Sequence, residues 1–286
     1  IELPTLLTLA DMELAGVSVS HARLSEFSGE LGARADAIAQ EAYGAIGREV
    51  NLGSPKQLQE VLFEELQLPK TRKTKTGYST DAAVLADLQD TNPHPFLDLL
   101  LQHREATKLR QIIESLDTSI GSDGRIRTTY VQTGSQTGRL SSTDPNLQNI
   151  PVRTEESRRI RSAFEVGAGY ETLLTADYSQ IEMRIMAHLS EDPGLIEAFN
   201  SGEDLHRFVG ARVFGVEPQD VTSAMRTKVK AMSYGLVYGL SAFGLSKQLR
   251  IEQSEAKQLM MEYFHRFGAV RDYLRSSVEQ AKIDGY

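Results

Sequence analysis

Arg226-Thr227-Lys228-Val229-Lys230-Ala231-Met232-Ser233-Tyr234-Gly235-Leu236-Val237-Tyr238-Gly239 is the most informative stretch of this 286-residue chain, and it lies in a helix expected over residues 222–238. Arg226, Lys230 and Tyr234 recur every fourth residue and so run along one stripe of that helix. Two cations followed by an aromatic could hold a triphosphate at one end and a sugar or base at the other. An exposed basic face with tyrosines packing at its C-terminal end accounts for the same residues equally well. Gly235 in mid-helix costs about 1 kcal/mol relative to Ala, which points to close packing there.

Upstream, the apolar run Leu173-Leu174-Thr175-Ala176 suggests a strand over residues 171–176 that leads into Asp177 and then a helix over 179–189. A carboxylate at the end of such a strand can bind Mg²⁺, which takes one or two carboxylates together with phosphate oxygens. An ordinary helix-capping or surface Asp is the other reading. Ser179-Gln180-Ile181-Glu182 fits a capping box, with Ser179 as N-cap and Glu182 at the third helical position. Spacing therefore assigns no function to Glu182. The phosphate-cradling pattern GxxxxGK[ST] is absent, which disfavours P-loop chemistry.

The first part of the chain is helical. Residues 18–66 carry apolar positions at three and four, such as Leu24, Phe27 and Leu31, then Leu58, Val61, Leu62 and Leu66. Asn51-Leu52-Gly53-Ser54-Pro55 reads as a turn and helix start. Residues 70–80 form a basic, Thr-rich tip with loop character, followed by helices over 81–88 and 96–115 either side of Asn92-Pro93-His94-Pro95. Residues 125–131 suggest a strand, and 133–151 a long irregular segment whose embedded arginines favour a function. Helices are expected again over 203–214 and from 253 to the end.

Composition sets the outer limits. With 40% hydrophobic and 24% charged residues the chain can build a sizeable core, divided into two or three subdomains. Absence of Cys removes disulfides, thiolate zinc sites and cysteine nucleophiles, and six scattered His disfavour zinc further. No apolar run reaches the roughly 18 residues of a membrane span and no leader pattern opens the chain, so a cytoplasmic protein without a membrane partner is expected. The net charge of −8 argues mildly against nucleic acid. The average conceals segregation: residues 221–251 and 124–143 hold no Asp or Glu, and Lys70-Thr71-Arg72-Lys73-Thr74-Lys75 is a third basic cluster. Such a pattern suits a surface that grips phosphates, although solvation of surface loops also produces it.

Three stretches, in order, resemble the motifs of family A DNA polymerases. Asp177-Tyr178-Ser179-Gln180-Ile181-Glu182-Met183-Arg184 resembles the first catalytic motif, Arg226 to Gly239 the fingers helix that binds the incoming nucleotide, and Thr137-Gly138-Arg139-Leu140-Ser141-Ser142-Thr143-Asp144-Pro145-Asn146-Leu147-Gln148-Asn149-Ile150-Pro151 the primer-template motif. The resemblance covers nearly the whole chain. It implies an α+β fold of right-hand polymerase architecture, with a helical thumb (18–92, after a lead-in over 1–17), a partial antiparallel-sheet palm (93–192) and helical fingers (193–286).

It also implies roles. Asp177 would ligate two Mg²⁺ ions, with the backbone carbonyl of Tyr178 on one of them. Arg226, Lys230 and His206 would hold the triphosphate of a dNTP, and Lys230 would also protonate the leaving pyrophosphate. Glu182 would reject a ribose 2′-hydroxyl, with Gln180 lining the same pocket. Tyr238 would sit by the templating base and Arg139 in the minor groove at the primer terminus. Asn146, Gln148 and Asn149 would help hold the duplex, and Lys70, Arg72, Lys73 and Lys75 would grip phosphates from the thumb. The implied protein works as a monomer in the cytoplasm, at the nucleoid, in replication and repair.

Two departures stand out. Many bacterial members have Phe where this chain has Tyr234, and Tyr there goes with ready acceptance of dideoxynucleotides. The family's later His-Asp-Glu motif, which brings a second carboxylate, does not occur before the chain stops at Asp284-Gly285-Tyr286. The chain alone is therefore expected to be inactive, with a sheet edge and apolar surface uncovered. A non-catalytic DNA-binding module of the same descent is the rival reading. A single-subunit RNA polymerase is disfavoured by Glu182.

Overall fold

The apolar stripe through Leu24, Phe27 and Leu31 becomes one buried helix face in the structure, a computed structural model that describes residues 1–286 apart from Arg153, Glu203 and Tyr286. The chain divides into two units, Ile1–Leu174 and Thr175–Tyr286. In the first, α1 (Glu2–Ala15) and β1 (Val17–Ser18) lead to α2 (His21–Ile46), and α3 (Pro55–Gln59) continues as a π-helical turn over Glu60–Glu65. Strands β2 (Lys73–Thr74) and β3 (Gly77–Tyr78), helices α4 (Ala82–Thr91) and α5 (Pro95–Thr118), strands β4 (Arg125–Ile126), β5 (Thr129–Val131) and β6 (Ser141–Thr143), and α6 (Glu155–Ser162) follow.

Helices α2 and α5 lie along each other and carry a core at each end. Towards the C-terminal end of α2, Ala42, Leu58, Leu62, Leu85, Phe96 and Leu100 bury together, and towards its start Leu24, Leu31, Ile113, Leu116, Ile126 and Ile160 do. The expected turn at 51–55 is present. Asn51 Oδ1 accepts from Gly53 N (2.9 Å), and Ser54 caps α3 with Pro55 in its first turn.

The single strand expected over 125–131 is two strands with different antiparallel partners. Val17 faces Ile126 between β1 and β4, and Thr129 faces Thr143 between β5 and β6. The break falls at Thr128, whose buried hydroxyl lies 2.6 Å from Ser142 Oγ and 2.9 and 2.8 Å from the carbonyls of Thr143 and Pro145. Residues 133–151, expected to be irregular throughout, thus contain β6, and the expected loop over 70–80 contains the β2–β3 hairpin.

The second unit is helical: α7 (Ile181–Ser190), α8 (Pro193–Asn200), α9 (Leu205–Phe214), a 3₁₀ turn (Pro218–Asp220), α10 (Ser223–Val237), α11 (Ala242–Leu249), α12 (Gln253–Arg266) and α13 (Gly268–Asp284). The expected start of α9 at Glu203 lies outside the described residues. Met183, Leu195, Val209, Val229, Met232, Leu236, Leu245, Tyr263 and Phe267 form its core. The helix expected from 253 onwards is interrupted at Phe267, whose φ of −119° and ψ of 63° leave the helical region. Among the described residues no helix is long and apolar enough to cross a membrane.

Two expectations beside Asp177 are corrected. Residues 171–176 form no strand, and Leu174 is 88% exposed. An extended segment becomes a strand only when a neighbour takes its hydrogen bonds, and none of the described residues pairs with it. Ser179 is not the N-cap of α7. Gln180 holds that position in the left-handed region (φ 55°), without a side-chain capping bond, so the capping box does not form.

Candidate functional site

The α9–α10 pair assembles the site. Asp204 caps α9, its Oδ1 accepting from Arg207 N (2.9 Å), and Thr222 caps α10, accepting from Met225 N (3.2 Å). Val209 and Val213 of α9 pack in one core with Val229 and Met232 of α10. That packing sets His206, in the first turn of α9, beside Tyr234, with ring centroids 5.9 Å apart.

Arg226 closes a fork on Asp204. Its Nη2 donates to Oδ2 at 2.6 Å and its Nε to Oδ1 at 3.2 Å. The guanidinium holds the Asp204 carboxyl below the usual carboxylate range. His206 is only 4% exposed, and its Nδ1 is buried without a hydrogen-bond partner. Burial pushes the imidazole's pKa down, Arg226 and Lys230 act in the same direction and Asp204 opposes them, so the ring is neutral at pH 7. Lys230 is exposed. The expected stripe of Arg226, Lys230 and Tyr234 is therefore present, with His206 added to it from the neighbouring helix.

Tyr234 links this cluster to the start of α7. Burial raises its pKa, and the charges of Glu182, Tyr238 and Asp177 raise it further, so all three lie within electrostatic reach of the phenol. Glu182 is half-buried in the first turn of α7, Gln180 is half-buried at its cap, and Tyr238 is 62% exposed at the end of α10. The close packing inferred at Gly235 is real: a Cβ there would lie 2.7 Å from Leu240 Cδ2.

Asp177 and Tyr178 are exposed on the irregular segment before α7. Arg184 anchors that segment, donating from Nε to Ser179 O (2.9 Å) while stacking over Phe199 with 4.5 Å to the ring centroid. No cluster of three or more His, Asp or Glu able to hold a metal occurs among the described residues. Asp177 is a single carboxylate donor with the Tyr178 carbonyl next to it, which fits an ion whose other ligands are phosphate oxygens and water.

In the first unit, Arg139, Asn146, Gln148 and Asn149 are exposed on the segment around β6. Asn146 Oδ1 accepts from the amides of Gln148 (3.0 Å) and Asn149 (3.2 Å), and Gln148 Nε2 donates to Leu140 O (3.1 Å). These side chains thus shape their own loop. At the hairpin tip Lys73 and Lys75 are exposed, Lys70 lies 3.7 Å from Glu64 and over the Tyr78 ring, and Arg72 lies 3.5 Å from Asp81. The acid-free segment over 221–251 is likewise met by acids from elsewhere, since Lys228 pairs with Glu255 (2.7 Å) as Arg226 does with Asp204.

The sequence model of DNA polymerase family A matches residues 21–286. The chain belongs to DNA polymerase family A. The DNA polymerase I of Mycobacterium tuberculosis H37Rv is 60% identical over 285 residues, covering all of this chain and 32% of that protein. The DNA polymerase I of Bacillus subtilis is 45% identical over 288 residues, with the same coverage. The chain spans about a third of the length of these relatives. Its structure is similar to the polymerase domain of Pol1 from M. smegmatis, solved with DNA primer-template and dNTP, at a TM-score of 0.94 and 60% identity over all of this chain and 50% of that one. The α+β polymerase architecture expected from the three motifs is thereby borne out, and family A membership brings a divalent metal cofactor with it.

Sequence reasoning found every residue of the α10 stripe but missed Asp204 and Arg184. Asp204 carries a visible signal as an acidic N-cap ahead of α9, yet nothing in the sequence ties it to Arg226 across 22 positions. Arg184 lay inside a recognised motif without a role, because its partner is the backbone of Ser179.

Proposed function

We propose that this chain is the part of a template-directed DNA polymerase that binds the incoming dNTP and the primer-template, with nucleotidyl transfer to a primer 3′-hydroxyl as the reaction. The observation that carries the reading is the cluster of Arg226, His206, Tyr234 and Lys230 within electrostatic reach of Glu182 and Asp177 in one unit. A pure DNA-binding module has no use for carboxylates that act on a phenol of the cationic helix in that way. In this reading residues 18–92 serve as thumb after a lead-in over 1–17, 93–192 as palm and 193–286 as fingers. The complete enzyme acts as a cytoplasmic monomer at the nucleoid.

Arg226 and Lys230 take the charge of the triphosphate, and Lys230 supplies the proton to the departing pyrophosphate. Neutral His206 offers a ring nitrogen to a phosphate oxygen. Glu182 fills the space a 2′-hydroxyl would need, Gln180 lines that pocket, and Tyr238 lies by the templating base. Arg139 reads the primer terminus from the minor groove, Asn146, Gln148 and Asn149 support the duplex, and Lys70, Arg72, Lys73 and Lys75 hold its phosphates. Asp177, with the Tyr178 carbonyl, would hold Mg²⁺. Two such ions, when bound, activate the attacking hydroxyl and stabilise the leaving oxygen.

Purified residues 1–286 are expected to give no primer extension above background, because Asp177 is a single exposed carboxylate and a two-metal reaction needs a second. Mixing the chain with a relative's segment bearing the His-Asp-Glu motif is expected to produce incorporation that follows the template base. Extension by the chain alone would overturn the first expectation, and DNA binding without incorporation in the mixture would favour the binding module. In the same mixture Tyr234→Phe is expected to raise the preference for dNTP over ddNTP by orders of magnitude. Equal preferences in competition assays would remove Tyr234 from the sugar pocket.

A further inference from the structure

Arg226 already holds an anion. The fork it makes with Asp204, at 2.6 and 3.2 Å, uses the planar, two-donor geometry with which guanidinium also binds a phosphate. Asp204 cannot follow the arginine elsewhere. Its Oδ1 is tied to Arg207 N at 2.9 Å as the N-cap of α9, and its backbone carbonyl accepts from Phe208 N at 2.9 Å. The fork's surroundings otherwise favour an anionic ligand, with Lys230 exposed on the same stripe and acting together with Arg226 on the His206 ring.

We infer that Asp204 is a built-in competitor for Arg226: it occupies the guanidinium while no nucleotide is present and must release it when a triphosphate enters, lowering the affinity for the nucleotide. This rests on the reading of Arg226 as a phosphate ligand. Asp204 touches no substrate and acts through Arg226, so it is a positioning residue. The exchange requires an incoming ligand to bring more negative charge than one carboxylate. A triphosphate meets that demand better than a monophosphate.

Asp204→Asn removes the charge and keeps a strong N-cap, and Asp204→Ser does the same with a different side chain, so α9 is retained in both. Equilibrium binding of dATP, and separately of inorganic tripolyphosphate, is measured on the 286-residue chain by calorimetry. Both variants are expected to bind each probe about two- to fivefold more tightly than the parent, the range set by an exposed ion pair. In an Arg226→Ala background the Asp204 substitutions are expected to change nothing, a coupling that a purely structural role would not show. Unchanged or weaker binding by the two variants overturns the inference while leaving the polymerase reading intact. Tightening that persists without Arg226 also overturns it, since the effect would then be general repulsion. Undiminished binding in Arg226→Ala alone overturns the phosphate reading of Arg226 and the inference with it.

Discussion

Asp177→Asn is expected to lower template-dependent incorporation in the complemented protein on the order of 10³-fold or more, since a metal that stabilises transition-state charge contributes several kcal/mol. The substitution keeps the side chain's size and removes the charge that would hold the ion. Asp177 is exposed, and its segment is anchored through Arg184 rather than through the carboxylate, so the fold should be untouched. Single-turnover incorporation reports the loss, and circular dichroism of the same sample reports the fold. Tripolyphosphate binding without metal should match the parent, because Arg226, Lys230 and His206 remain. Activity within tenfold of the parent would mean that Asp177 is not the metal carboxylate.

Phe267→Ala is expected to destabilise the second unit by about 3–5 kcal/mol, the usual cost of truncating a buried aromatic ring. Phe267 is fully buried, 5.0 Å from Tyr263 between ring centroids, and packed so closely on Gly194 that a Cβ there would lie 3.1 Å from its ring. It also fills the break between α12 and α13. Next to it the buried Asp192 caps α8 through Gly194 N (3.0 Å) and Leu195 N (3.2 Å), and accepts from Ala269 N (3.2 Å) at the start of α13. Losing the ring therefore loosens three helices together. Phe243→Ala, at an exposed ring of the same unit, is expected to stay within about 0.5 kcal/mol of the parent. Urea denaturation of the two variants decides the matter, and similar midpoints would contradict the assigned core.

The long elements were legible because their apolar residues repeat over several turns. Helix α2, with Leu24, Phe27 and Leu31, and helix α10, with its stripe of Arg226, Lys230 and Tyr234, are of that kind. Helices α8 and α11 span only eight residues each, too few for a period to stand out, although Asp192-Pro193 and Ser241 supply caps that a search for helix starts would find. Helix α6 has Ile160 as its one apolar residue, so nothing in its pattern points inward. Around Asp177 the apolar run Leu173-Leu174 argued for a strand, but strand formation depends on a partner that the run itself does not specify.

For the site, three ordered motifs were enough to place the chain in its family and to single out Asp177, Glu182, Arg226, Lys230, Tyr234 and Tyr238 as candidates. Local spacing was enough to align the cations on one helix face, because α-helical geometry is set by neighbours three and four residues apart. Packing between helices sets His206 beside Tyr234 and brings Asp204 and Glu255 to cations of an acid-free segment, which no motif records. The reason is physical: charge pairing and burial depend on which helices pack together. Packing brings residues within 3 Å of each other across 22 and 27 positions of chain, a distance that no local pattern encodes.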